Sequence, residues 1–152
     1  MGVTCFTEDC TNLLMWSHYA ENHTGFCLEF DASNEFFSNV RKVDYIQSPT
    51  VVSARSLLCS TNLQRWDTIE SIVCTKAECW SYQKEWRLLS RQAKVAKAYA
   101  ASALKAVYLG TKVSDVNKGK IAGAVSGQVA PYQMRRMETS FGFSSELIRQ
   151  HS

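Results

Sequence analysis

The chain has 152 residues, of which 45% are hydrophobic, 20% charged and 11% aromatic. This composition is typical of a globular domain and excludes a disordered, collagenous or coiled-coil chain. No apolar run approaches the ~20 residues that a transmembrane helix needs. The first nine residues lack the basic and apolar regions of a signal peptide. We therefore expect a single cytoplasmic domain over residues 1–152.

Charge is distributed unevenly along the chain, although the net charge is only +3. Residues 1–50 contain seven acids and two bases, and residues 51–152 contain fifteen bases and seven acids, which gives −5 and +8. Such an asymmetry indicates either a nucleic-acid face or a self-complementary surface. A folded domain with mixed faces is the more common explanation of such an asymmetry.

The six cysteines do not form the pattern of a small disulfide-stapled domain, because the chain is long and has no export signal. We expect reduced thiols. No Cys-x-x-Cys motif is present, which argues against a structural zinc site. Cys5 and Cys10 could meet His18 and His23 in a loose metal cluster, but their spacing fits no common ligand pattern. We therefore predict no metal.

In the first half of the chain, periodicity predicts three strands and one helix. The strands cover residues 4–7, 26–31 and 40–46. The helix begins at Leu13 after a cap at Thr11 or Asn12 and ends around residues 21–23, before Gly25.

The second half predicts helices and strands in irregular alternation. The helices cover residues 51–74, 92–103 and, after a cap at Ser114 or Asp115, the segment up to about 124, with a short helix or turn over 77–82. The strands cover residues 85–90 and 106–109 and a closing hairpin of 129–135 with 139–143. We predict an α+β fold with a mixed, mainly antiparallel sheet and packed helices.

The densest aromatic cluster is the predicted first helix and its end, which carries Trp16, His18, Tyr19 and His23. Trp and Tyr offer planar surfaces with a polar group for ligand stacking, and His titrates near neutral pH. On a helix Trp16, His18 and Tyr19 cannot share one narrow face. The alternative is that Trp16 and Tyr19 belong to the core and that His18 is a half-exposed polar residue.

A second cluster precedes and enters the strand predicted over residues 85–90 and contains Trp80, Tyr82, Glu85 and Arg87. Alternation along a strand places Glu85 and Arg87 on one face. They form either part of a site or a surface ion pair. We expect a ligand-binding cleft between the helix of the first cluster and this strand.

Basic residues continue beyond this strand at helical spacing. They are Lys84, Arg87, Arg91, Lys94 and Lys97. On one helix they would form a basic stripe suited to nucleic acid. Because the strand prediction conflicts with that stripe and no nucleic-acid motif is present, we do not expect nucleic-acid binding.

Three motifs carry a family resemblance. They are Cys-Phe-Thr at 5–7 with Leu-Met-Trp-Ser-His-Tyr-Ala at 14–20, His23, Gly25-Phe26 and Phe30-Asp31; Thr75-Lys76, Trp80 and Tyr-Gln-Lys-Glu-Trp-Arg at 82–87; and Val-Tyr-Leu-Gly at 107–110. In these motifs the chain resembles the bacterial domain-of-unknown-function family 2971.

The chain departs from the family pattern in three places. The resemblance implies a tyrosine-rich segment ahead of the Cys-Phe strand, so we expect a domain that is shortened at its N-terminus. Gln83 stands where the family usually has Glu, which removes one carboxylate of a possible pair. Trp86 replaces a Tyr and keeps the aromatic character.

The family pattern is in turn similar to that of NAD-using ADP-ribosyltransferases. This similarity implies that Glu85 is catalytic and stabilises an oxocarbenium-like centre, with Trp16 and Tyr19 as a stacking platform. His18 and Arg87 would supply polar contacts, and NAD would be the cofactor only under this hypothesis.

The favoured hypothesis is a self-associating interaction module with a vestigial or ligand-binding cleft. The ligand-binding residues predicted for it are Trp16, His18, Tyr19, His23, Trp80, Tyr82 and Arg87. An open strand edge left by the shortened N-terminus would favour pairing with another chain. The expected partner is a second copy in a homodimer.

Overall fold

The computed structural model describes residues 1–49, 51–59, 61–94, 96 and 98–148, without the side chains of residues 56 and 57. The chain forms two compact units. Unit 1 consists of Met1–Glu8 and Asn39–Ala96, and unit 2 consists of Asp9–Ser38 and Lys97–Ser152.

Nine strands and four α-helices are present in the described residues. The strands are β1 (Gly2–Thr7), β2 (Phe26–Phe30), β3 (Val40–Lys42), β4 (Asp44–Ile46), β5 (Thr75–Ala77), β6 (Glu85–Ser90), β7 (Leu104–Leu109), β8 (Ala130–Arg136) and β9 (Phe143–Leu147). The helices are α1 (Leu13–Tyr19), α2 (Ala54–Leu58), α3 (Asn62–Val73) and α4 (Asp115–Ala124). Short 3₁₀-helices cover Glu35–Phe37, Glu78–Gln83 and Ala101–Ala103.

Unit 1 contains a three-stranded antiparallel sheet in the order β1-β6-β3 and a parallel β4–β5 pair. β6 is the central strand, and Cys5 and Arg41 lie opposite Arg87 on its two sides. Helices α2 and α3 belong to the same unit. The charged residues of β6 are therefore held on the central strand of a small sheet.

Unit 2 contains a four-stranded mixed sheet in the order β2-β7-β8-β9, in which only β7 and β8 run parallel. Trp16 of α1 and Ala20, which follows the helix, form a buried cluster with Met134 of β8 and Phe143 of β9. Val107 and Leu109 of β7 are fully buried. The α+β class predicted from the sequence is confirmed in both units.

Two predicted elements are interrupted. The strand predicted over 40–46 is two strands, because the backbone bonds to β6 as far as Val43 and pairs with β5 from Asp44 onwards. The helix predicted over 51–74 is α2 and α3, because Thr61 begins a new helix with a capping box to Gln64. Residues 50 and 60 lie outside the described residues.

Two further boundaries were also wrong. α1 ends at Tyr19, earlier than predicted, because Glu21, Asn22 and His23 all have positive φ values. The helix predicted over 92–103 is absent from its described residues, where only Ala101–Ala103 form a 3₁₀ turn. Its alanine content supplied helix propensity without an apolar stripe, and propensity alone rarely holds a short helix.

The remaining elements agree with the predictions within a few residues. Asn12 caps α1, Ser114 caps α4, and β8 and β9 form the closing hairpin. β9 begins at Phe143, where the predicted second strand ended. Since 85–90 is a strand, the basic residues from Lys84 onwards do not form a helical stripe; Lys97 lies outside the described residues.

Candidate functional site

The Glu85 carboxylate is the centre of an ion cluster in unit 1. Glu85 is the first residue of β6 and only 5% exposed. Arg87 donates to both carboxylate oxygens, from Nε to Oε1 at 2.7 Å and from Nη2 to Oε2 at 3.0 Å. Lys76 Nζ donates to Oε2 at 2.9 Å. Both oxygens are therefore bound by cationic donors, which form the strongest class of side-chain hydrogen bond.

Arg87 also links β6 to the end of α3. Its Nη1 donates to the carbonyl oxygen of Val73, the last residue of that helix. A guanidinium at this position satisfies a free carbonyl and neutralises the negative end of the helix dipole. The hydrogen bonds with Glu85 raise the pKa of Arg87 above its ordinary value.

Lys76 on β5 joins the aromatic part of the second cluster to the carboxylate. Its ammonium also donates to Oε1 of Gln83, which is 1% exposed, and lies 5.5 Å from the centre of the Trp80 ring. Trp80 and Tyr82 have ring centres 6.0 Å apart. Trp80, Tyr82, Glu85 and Arg87, all predicted from the sequence, are thus linked through contacts in one unit.

Two further side chains touch Glu85. The Tyr45 hydroxyl accepts a hydrogen bond from the Glu85 backbone N–H at 2.9 Å. The Cys5 thiol on β1 also bonds to the carboxylate. Burial and this hydrogen bond raise the pKa of Cys5 to about 11, so its thiolate is scarce at neutral pH and the thiol is a poor nucleophile.

The cluster fixes the ionisation state of Glu85. Burial alone would raise the pKa, but hydrogen bonds from Arg87, Cys5 and Lys76 outweigh it and lower the pKa to about 2. At neutral pH the group is a permanent carboxylate and cannot serve as a general acid. The chemistry open to it is electrostatic, either holding the cluster together or stabilising a positive centre.

In unit 2, Trp16 lies in the core. It is 4% exposed, its indole Nε1 donates to the Cys10 carbonyl at 2.7 Å, and its ring meets Phe143 edge-on at 6.4 Å. This burial leaves no open ring face for a planar ligand. Trp16 is therefore a core residue, as the alternative interpretation of the first cluster proposed.

His18 and Tyr19 lie at the exposed end of α1. Tyr19 is 65% exposed, and the ring centres of the two residues are 6.4 Å apart at a steep angle. His23 lies after the helix, and its Nε2 is 3.0 Å from the Ser17 hydroxyl. Of the ligand residues predicted in and after α1, Trp16 is therefore in the core. His18 and Tyr19 are on the surface, and His23 lies in the turn that follows the helix.

The structure assigns the predicted site residues to two different units. Trp80, Tyr82, Glu85 and Arg87 belong to unit 1, and Trp16, His18, Tyr19 and His23 belong to unit 2. Among the residues that the structure describes, no group of three or more His, Cys, Asp or Glu side chains is placed to hold a metal ion. All six cysteines are free thiols.

Sequence reasoning gave no role to Lys76 and did not find Tyr45. Lys76 belongs to the Thr75-Lys76 motif, nine residues before Glu85. Its presence in that motif could have indicated that it is a partner of the glutamate. Tyr45 lies in a predicted strand, where its contact with Glu85 depends on the break between β3 and β4. No sequence pattern indicated that break.

Fold and cluster together define an α+β protein with a buried, ionised carboxylate on a central strand. A family model described as "Protein of unknown function (DUF2971)" matches residues 15–88, which contain the Met-Trp-Ser-His-Tyr-Ala and Tyr-Gln-Lys-Glu-Trp-Arg motifs of the resemblance. No curated protein and no solved structure matches the chain. Within the described residues, no helix combines the length and apolar character needed to cross a membrane.

Proposed function

We propose that the protein is a non-catalytic interaction module that self-associates by pairing β1 with β1 of a second copy. The supporting observation is the position of β1 at one edge of the β1-β6-β3 sheet, where β6 is its strand partner in the described residues. An edge strand presents backbone donors and acceptors that can pair with another chain.

The composition of β1 favours such pairing. Its six residues, Gly-Val-Thr-Cys-Phe-Thr, include no charge and no proline, the two commonest ways in which natural edges prevent association. Val3 is 43% exposed, and Thr4 and Cys5 are also exposed. A second copy would cover these side chains and pair the backbone of the edge.

A homodimer of this kind is closed, because one two-fold axis relates identical edges. Opposite residues of antiparallel strands point to the same face of the sheet. The axis therefore passes beside one residue of β1, and the two copies of that residue lie opposite each other. An axis beside Thr4 gives one register, and an axis beside Cys5 gives another.

Size-exclusion chromatography with light scattering on the whole chain tests this proposal. The wild type is expected to have the mass of a dimer, and Thr4→Lys that of a monomer, because a lysine on an edge strand opposes pairing and, in the register centred on Thr4, two like charges lie directly opposite each other. Thr139→Lys, at an exposed position in unit 2, is the matched control and stays dimeric. A monomeric wild type, or a dimeric Thr4→Lys, overturns the proposal.

A second candidate is an NAD- or nucleotide-handling enzyme similar to ADP-ribosyltransferases, with Glu85 as the catalytic carboxylate. It is favoured by the contacts that join Trp80 and Lys76 to Glu85 and Arg87. Trp80 is 39% exposed, and an indole ring offers a planar surface on which a base can stack.

Thermal unfolding in the presence of NAD or ADP-ribose tests the second candidate. A ligand that binds only the folded state raises the unfolding temperature. The shift is expected for the wild type and is expected to disappear in Trp80→Ala, while Trp66→Ala, a tryptophan of α3, retains it. No shift at millimolar ligand argues against nucleotide binding.

A further inference from the structure

The turn that follows α1 in unit 2 has an unusual backbone. Glu21, Asn22 and His23 have φ values of 45°, 54° and 73°, so three successive residues other than glycine adopt the left-handed conformation. Glu21 is strained in this region, whereas Asn and His enter it more readily; three such residues in succession persist only when their surroundings enforce them. The turn is therefore held in place by its contacts.

Hydrogen bonds tie the turn to the end of α1 and to the segment after β7. The His23 N–H donates to the Trp16 carbonyl at 3.2 Å, and the Gly25 N–H donates to the Ala20 carbonyl at 2.9 Å. The His23 carbonyl accepts from the Lys112 N–H at 3.0 Å. Gly110 lies so close that a Cβ there would approach the His23 oxygen to 2.2 Å.

The His23 side chain adds a contact that depends on its proton. Its Nε2 is 3.0 Å from the Ser17 hydroxyl, which itself lies within 3.2 Å of the Leu13 carbonyl. If the Ser17 hydroxyl donates to that carbonyl, Nε2 carries the ring proton and donates to Ser17. Nδ1 is then a bare nitrogen, and in the described structure it is buried without a hydrogen-bond partner.

A second proton on this ring has no acceptor and meets positive charge. It would attach to the buried Nδ1. The His23 ring packs edge-on against the Phe143 ring, and the two ring centres are 5.4 Å apart. The charged groups that act on His23 are Lys112, after β7, and Arg136, on β8, and both are basic. Burial, followed by these two charges, lowers the pKa of His23 below 6.5.

We propose that residues 20–25 form an acid-sensitive latch, in which protonation of the His23 ring opens the strained turn and releases the C-terminal end of α1. The unfolded turn binds the proton more readily than the latched one. The latch is therefore closed above pH 6.5 and loosens as the pH falls from 6.5 towards the lower pKa of the folded state. Because Trp16 lies on α1 and Ala20 is the residue that ends it, opening exposes part of the apolar cluster of unit 2.

Hydrogen exchange measured by mass spectrometry from pH 7.5 to 5.0 tests the latch, after correction for the intrinsic pH dependence of exchange. In the wild type, exchange over residues 16–25 is expected to rise up to about tenfold at pH 5.5, since each pH unit below the unfolded pKa can change the opening equilibrium tenfold. His23→Gln is expected to show a flat profile. His18→Gln, on the exposed end of α1, is the matched control and keeps the wild-type rise.

A wild-type profile that is flat, or that matches that of His23→Gln, overturns the proposal. If His23→Gln does not fold, His23→Asn replaces it, because Asn tolerates the left-handed conformation. An NMR titration of the imidazole signals gives an independent readout. A His23 midpoint below 6.5 supports the latch, and a midpoint at or above 6.5 contradicts it.

Discussion

The two units of the chain are stabilised in different ways. Unit 1 carries nine basic and six acidic residues, a net charge of +3, whereas unit 2 carries eight of each. In unit 1 the central strand is organised around the buried Glu85 carboxylate, and in unit 2 the core cluster is aromatic and aliphatic. The −5 and +8 halves of the sequence do not correspond to these units, because unit 2 combines the acidic segment 9–38 with the basic segment 97–152.

Removal of the buried Glu85 carboxylate should therefore lower the stability of unit 1 as much as removal of a core side chain lowers that of unit 2. Buried ion clusters lose most when a single partner is removed, because the remaining charges stay buried. Apolar cores lose in proportion to the volume that is removed.

The largest effect is expected for Glu85→Gln, which leaves Lys76 and Arg87 without their counter-ion. We expect a loss of about 3–5 kcal/mol in the free energy of unfolding, measured by urea denaturation. Glu146→Gln is the control, because its pair with Arg135 is about two-thirds exposed and is worth about 0–1 kcal/mol. Equal effects of the two substitutions would show that the Glu85 cluster contributes little.

In unit 2 the corresponding change is Met134→Ala. Met134 is 1% exposed and packs with Trp16, Ala20 and Phe143. We expect a loss of about 2–5 kcal/mol in the same measurement. Met137→Ala, at a position that is 44% exposed, should stay within about 0.5 kcal/mol of the wild type. A small effect of Met134→Ala would contradict the assignment of the core.

Acid should affect the two units in separate pH ranges. The pKa of Glu85 is lowered from 4.5 to about 2, so the stability it contributes is present above pH 4.5 and is lost as the pH falls towards 2. The pKa of His23 is lowered from 6.5, so unit 2 begins to lose stability at a higher pH than unit 1 does.

Hydrogen exchange resolved by segment separates the two ranges. Residues 16–25 are expected to respond first and residues 85–90 only below pH 4.5. Simultaneous acceleration of exchange in both segments would mean that one global transition replaces the two local ones.

The smallest effect is expected for Thr61→Ala at the N-terminus of α3. Thr61 accepts from the Gln64 N–H and Gln64 accepts from the Thr61 N–H, while none of the residues of α3 is buried. Loss of the cap should cost about 1 kcal/mol. Thr68→Ala, within the same helix, is the control for removal of a threonine and should change stability less.

The sequence predicted most elements because their signals are local. Alternation predicted β6, and the polar residues Asn12 and Ser114 indicated the beginnings of α1 and α4. The break at Val43 and the left-handed turn after Tyr19 depend on tertiary contacts, which periodicity does not contain. The helix prediction for the alanine-rich segment at 92–103 was wrong, because helix propensity is a weak signal where no packing supports it.

The candidate site was only partly predictable for the same reason. A strand places Glu85 and Arg87 side by side, and this local relation was found from the sequence. The approach of Lys76, Tyr45 and Cys5 to that carboxylate depends on how β1, β4 and β5 are arranged. The division of the two aromatic clusters between units is likewise a property of the folded chain.

The single residue between β3 and β4 has a consequence for how unit 1 opens. Val43 is 2% exposed, and its N–H donates to the Glu85 carbonyl at 2.9 Å, while the next N–H, that of Asp44, donates to the Cys74 carbonyl at 2.8 Å. One continuous stretch of backbone thus belongs to both sheets. Fraying of β3 from β6 pulls directly on the β4–β5 pair, so the two sheets separate as one cooperative unit of local unfolding.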